Sequence, residues 1–216
     1  MHQNKRVLLD IKSNLSLVAH EFEFECIHLQ TYLEDSIALL KQANYLSPDA
    51  KLYSIEADKY FWSVNHTFYF TSSFIAMLMQ ISEDLVNRCC EEWKIYLGGN
   101  LMIKTSTDPF YDKFRNSLLS KIQLDLKSPK WVELSELYQL RNALIHKNGK
   151  LSINEKPERI LAVQSLIKKY HGLEIIDDQI IIEEHFCKEA LMIVKRALTY
   201  LFKETSNHIN ILKRSY

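Results

Sequence analysis

Turn-forming residues are scarce in this chain: four glycines and four prolines serve 216 residues. A many-stranded sandwich or barrel needs a turn every few residues, and there is too little turn chemistry here to build one. The Leu, Ile, Lys and Glu that fill the rest favour helix, so the chain reads as all-α. Its length suits one domain with a substantial core. One domain spanning 1–216 is therefore expected.

The apolar pattern divides that domain. From about Asp10 to Asn44, Leu15, Val18, Phe22, Ile27, Leu29, Leu33, Ile37 and Leu40 recur at mostly helical spacings, predicting one long helix. Ser47-Pro48 is an N-cap followed by a first-turn proline, opening a second stretch that runs to Gly98-Gly99, with a break expected near Asn65-His66. Between Phe68 and Trp93 this stretch is apolar around most of its circumference, as in a central buried helix. Asp108-Pro109 and Ser128-Pro129 repeat the start signal and place helices at about 109–123 and 129–147. Asn148-Gly149 ends the second of them favourably. A helix fits Pro157 to Tyr170, a small hairpin fits 173–182 around Asp177-Asp178, and a last amphipathic helix fits Glu183 to about Glu204.

Charge excludes some partners. Acidic and basic residues balance at 27 each, so no global field draws the protein to nucleic acid, and an RNA site would have to be local. The start, from Met1 to Arg6, is not followed by an apolar signal core. No apolar run approaches the roughly 20 residues that span a bilayer. A cytoplasmic protein without membrane partners is the expectation. Cys26, Cys89, Cys90 and Cys187 lack CxxC spacing and read as free, mostly buried thiols. There is no GxxxxGK[ST], GxGxxG or GxSxG, so nucleotide hydrolysis, dinucleotide redox chemistry and hydrolase-type catalysis find no support.

The sharpest local signal is Leu140-Arg141-Asn142-Ala143-Leu144-Ile145-His146-Lys147-Asn148-Gly149, at the end of the 129–147 helix. At about 100° per residue, Leu134, Leu137, Leu144 and Ile145 form an apolar stripe, and Arg141 projects from within it. A charge there calls for a partner: a carboxylate from another helix, a subunit interface or a ligand anion. Asn142 and His146 share a face at i,i+4, while Arg141 needs its length to reach the same site. His146 falls in the last helical turn, where the negative end of the macrodipole favours imidazolium. That suits proton transfer.

Blander readings stand beside this one. With seven arginines and eight histidines, an Arg-His pair at one fixed spacing is expected about once in four such chains, so the pair alone is weak. Arg115-Asn116 opens another helical segment in the same way without the His, and it is assigned no chemistry. Arg141 could simply bridge to Glu83 or Asp84 on the central helix, and His146 could merely cap free carbonyls. Glu83 shares a face with Ala76, Gln80 and Asn87, either a polar seam lining a site or a helix interface. His20, Glu21, Glu23, Glu25 and His28 include Glu-x-x-His spacing, but a bundle di-metal site needs a second such unit. A solvated face is the better reading. His185 and Cys187, two apart, diverge on a helix. Tyr60, Phe61, Trp62, Phe68, Tyr69 and Phe70 fit core packing better than base stacking.

The segment Arg141-Asn142-Ala143-Leu144-Ile145-His146 resembles the R-x4-6-H motif of the HEPN superfamily, in which a polar residue, often Asn, follows the Arg. The likeness covers about residues 60–205, including the helix that carries Asp84 to Cys90; residues 1–46 match only as generic helix of unassigned role. The resemblance implies a helical bundle that pairs with a second copy so that two motifs face one another and cut RNA without a metal or cofactor. It implies His146 as general base or acid, Arg141 stabilising charge on phosphorus oxygens, and Asn142 orienting both, with Glu83, Lys147 and Asn148 as supporting candidates. The expected role is a toxin or antiphage-defence effector acting on an RNA substrate as a homodimer, with an antitoxin or regulatory protein as a further partner. The alternative is a non-catalytic dimerisation or binding module. The tyrosine that follows the His in members modified by a nucleotidyltransferase antitoxin is absent here, where Lys147 and Asn148 stand.

Overall fold

The computed structural model describes residues 2–45, 55–96, 125, 127–151 and 156–214. Among these are five helices: α1 (His2–Tyr45), α2 (Ile55–Tyr96), α3 (Pro129–Lys147), α4 (Pro157–Lys169) and α5 (Glu184–Arg214). One antiparallel hairpin, β1 (Leu173–Ile176) and β2 (Gln179–Ile182), precedes α5. The fold is all-α with a small hairpin, as the scarcity of turns implies. The helix expected at 109–123, including Arg115 and Asn116, and the start signal at Ser47-Pro48 lie outside the described residues.

Two compact units divide the chain. The first comprises Met1–Cys26, Gln80–Ser135 and Ile193–Tyr216. Its core takes Leu8, Ile11, Leu15, Val18 and Phe22 from α1, Leu85, Val86, Cys89 and Trp93 from α2, and Trp131 and Leu134 from α3. From α5 come Val194, Ala197, Leu198, Leu201 and Ile209. The second unit comprises Ile27–Met79 and Glu136–Met192. Its core draws on Leu29, Leu33 and Ile37 from α1, Phe74, Ile75 and Leu78 from α2, Leu137, Leu140 and Leu144 from α3, and Val163 and Leu166 from α4. Leu173, Ile180, Ile182 and Phe186 complete it.

Four expectations are corrected. In α1 the buried residues step by three or four from Leu8 to Ile37, and Cys26 rather than Ile27 occupies the stripe. Ile27 lies a further 100° around and is exposed. The helix α2 runs through Asn65-His66 without a break; neither residue breaks a helix as proline does. Nor is it buried all round, because Tyr69, Ser73, Met77, Gln80, Asp84, Arg88 and Glu91 recur at helical spacing and keep one side in solvent. Finally, α5 continues ten residues past Glu204 to Arg214. In the fold the Thr205 hydroxyl donates to the Leu201 carbonyl at 2.7 Å, and Ile209 is buried one turn later.

Candidate functional site

The helix α3 begins where the chain is turned by Asp125: the amide of Lys127 donates to its carboxylate at 2.9 Å, and that of Ser128 to its carbonyl at 3.1 Å. Pro129 supplies a pre-set φ at the first helical position. Nineteen residues later the helix stops because Asn148 (φ 49) and Gly149 (φ 75) both turn left-handed. The Gly149 amide reaches back to the Ala143 carbonyl at 3.2 Å and that of Lys150 to Lys147 at 3.0 Å, so the freed carbonyls of the last turns regain donors. Asn and Gly tolerate this conformation best.

On this frame Arg141 sits between Leu137 and Leu144 on the stripe that faces the core, and it is half-buried. Its Nη1 donates to the Asn142 Oδ1 at 2.9 Å. The Nε–H is buried without an acceptor among the described residues. No described carboxylate of the same unit stands within ion-pairing distance. Among the described residues of this unit, the guanidinium's one side-chain hydrogen bond is to a neutral amide. Asn142 is half-buried, while His146, Lys147 and Asn148 are exposed. No hydrogen bond joins His146 to another described residue. Ile145, placed on the apolar stripe by sequence, is 47% exposed at the flank of that stripe in the last turn.

Arg141, Asn142, His146, Lys147 and Asn148 thus share the second unit. Glu83 is half-buried and belongs to the first, with Gln80 and Asn87, both exposed. One residue that the sequence did not single out bears on the site. Gln179 donates from Nε2 to the Asn148 carbonyl at 3.0 Å, from 31 residues away in the chain. Its only sequence signal is a polar residue opening an isoleucine-rich strand.

Elsewhere charge is spent on local pairing. In the first unit a groove of about 680 Å³ is lined by His20, Glu21, Phe24, Glu25, Asp84 and Arg88, among others. The Arg88 guanidinium bonds Glu21 and holds its carboxyl below the usual range. His20 and Glu23 approach to 3.9 Å on one exposed face. Among the described residues no three His, Cys, Asp or Glu side chains come together as metal ligands would. His185 lies on an exposed face 3.8 Å from Glu189, and Cys187 is buried. All four thiols are buried and free, and burial pushes Cys26 up to about 11 and Cys90 and Cys187 up to about 12. Such thiols are protonated and unreactive at neutral pH. Phe68 and Phe70 are half-buried, but Tyr69 faces solvent, correcting its assignment to the core. No described helix is long and apolar enough to cross a membrane. Comparison of the chain with protein-family models, curated proteins and solved structures finds no match.

Proposed function

We propose that the chain is a metal-independent, HEPN-type endoribonuclease, a toxin or antiphage-defence effector that works as a homodimer with a composite site. The observation that carries the reading is the state of Arg141: a half-buried guanidinium beside an amide rather than a carboxylate. Ion pairing to a carboxylate would largely cancel its field at a substrate. Amide contact orients it and leaves the charge for a phosphoryl group.

RNA supplies its own nucleophile. His146 takes the proton from a 2′-hydroxyl, the 2′-oxygen attacks phosphorus, and the bond to the 5′-oxygen breaks as that oxygen gains a proton from the second copy's imidazolium. Arg141 carries the charge that builds on the non-bridging oxygens, and Asn142 holds its guanidinium in place. The products are a 2′,3′-cyclic phosphate and a 5′-hydroxyl. Lys147 and Asn148 are exposed beside His146, and on this reading they would meet the RNA backbone.

The test is induced expression of the wild type beside His146→Ala, with total RNA examined for cleavage and for cyclic phosphate ends, and a chelator added to the purified protein. Growth arrest and chelator-resistant cleavage that vanish in the variant are expected. Intact RNA with both proteins would overturn the ribonuclease reading. Ile145, exposed next to His146, would then mark the surface of a dimerisation or binding module.

A further inference from the structure

The end of α3 is tied to the hairpin by more than chain connectivity. The residues after Gly149 run along the free edge of β2: the Ile180 amide donates to the Gly149 carbonyl at 2.8 Å, the Leu151 amide to the Asp178 carbonyl at 2.8 Å, and Lys150 pairs antiparallel with Gln179. A two-residue turn, Asp177 (φ 48) and Asp178 (φ 62), fixes the register of β1 on β2. Both left-handed values are those of a type I′ hairpin, which matches the strand twist. Gln179 is therefore held at the turn's edge, and from there its side chain reaches the Asn148 carbonyl. The packing is close there: a Cβ on Gly149 would stand 2.6 Å from the Gln179 Nε2 and 3.0 Å from the Phe68 ring.

From this geometry we infer that Gln179 is the positioning residue for His146. Its amide pins the carbonyl two residues beyond the imidazole, and the β2 pairing holds the next residues, so the last turn of α3 cannot fray as exposed helix ends ordinarily do. Its consequence for catalysis rests on the proposed role of His146 in proton transfer, where displacement by about 1 Å can cost a hundredfold. In this role Gln179 acts through Asn148.

The experiment compares wild type, Gln179→Met and Gln179→Glu as full-length protein. Methionine keeps the length and loses the donor; glutamate keeps the shape and turns a carboxylate toward the Asn148 carbonyl. Two readouts need no RNA: amide exchange at Asn148 to Leu151, and the NMR signal of the His146 ring. Both variants are expected to speed exchange there at least tenfold and to broaden or move the His146 signal, while exchange in α5 stays unchanged. In the cleavage assay kcat falls about tenfold with KM within twofold. Unchanged exchange and an unchanged ring signal would overturn the inference. So would an unchanged kcat in an enzyme that His146→Ala inactivates. Should the wild type cut no RNA, the nuclease reading fails, and the exchange and ring measurements alone decide whether Gln179 positions His146.

Discussion

Arg196 in the first unit and Arg141 in the second have opposite fates. Arg196 stands 3.3 Å from the Glu133 carboxylate and pairs with it there. Arg141 has the Asn142 amide at 2.9 Å. Another arginine of the first unit, Arg88, repeats the first pattern with Glu21. Two side chains of one type thus differ in the partner beside them: a carboxylate for Arg196 and a neutral amide for Arg141. A composition count cannot tell them apart.

Exchanging Arg141 for Gln tests the contrast most strongly. Cleavage is expected to fall by about a hundred- to a thousandfold, as when one charge-stabilising donor is removed from an active site. Arg196→Gln is expected to cleave as the wild type does and to shift stability by no more than about 1 kcal/mol, because the pair is partly exposed. Equal losses of cleavage in both would erase the distinction. A smaller effect should follow from giving Arg141 a carboxylate neighbour. Asn142→Asp puts a carboxylate at hydrogen-bond distance, and cleavage should drop about tenfold, a loss of about 1.4 kcal/mol of transition-state stabilisation. Chemical denaturation should show the variant no less stable than the wild type.

The smallest effect concerns His208, which lies against Trp93 in the first unit with ring centroids 5.6 Å apart. Burial lowers its pKa below the ordinary 6.5. A lowered histidine pKa means that the unfolded chain binds the proton more tightly. Stability is then steady above about pH 6.5 and declines as the pH falls from there through the folded-state value. Thermal melts from pH 7.5 to 5 should show this slope, and His208→Phe should flatten it. If His208→Phe changed the pH dependence of cleavage instead, titration in the first unit would not be confined to stability.

Much of this was legible before any coordinates. Pro129, Asn148-Gly149 and Asp177-Asp178 are residues with few conformational choices, and the ends of α3 and the hairpin turn fall where they stand. The Arg141 placement within the apolar stripe is equally local, because 100° per residue fixes it. What could not be read is what depends on residues far apart in the chain. Nothing near Gln179 announces that its amide meets Asn148, and nothing near Arg141 reveals which described carboxylates of its unit stand out of reach. The end of α5 was hidden for another reason. Past Glu204 the polar Thr205 is accommodated because its hydroxyl is satisfied by its own helix.

The tie between Asn148 and Gln179 closes a loop of 31 residues within one uninterrupted stretch of chain. Closing it costs about 3 kcal/mol of length-dependent loop entropy. Contacts this short in sequence form early, so the motif and its hairpin can come together on a nascent chain while most of α5 is still within the ribosome. On the nuclease reading proposed above, each copy would leave the ribosome with its half of the composite site already shaped.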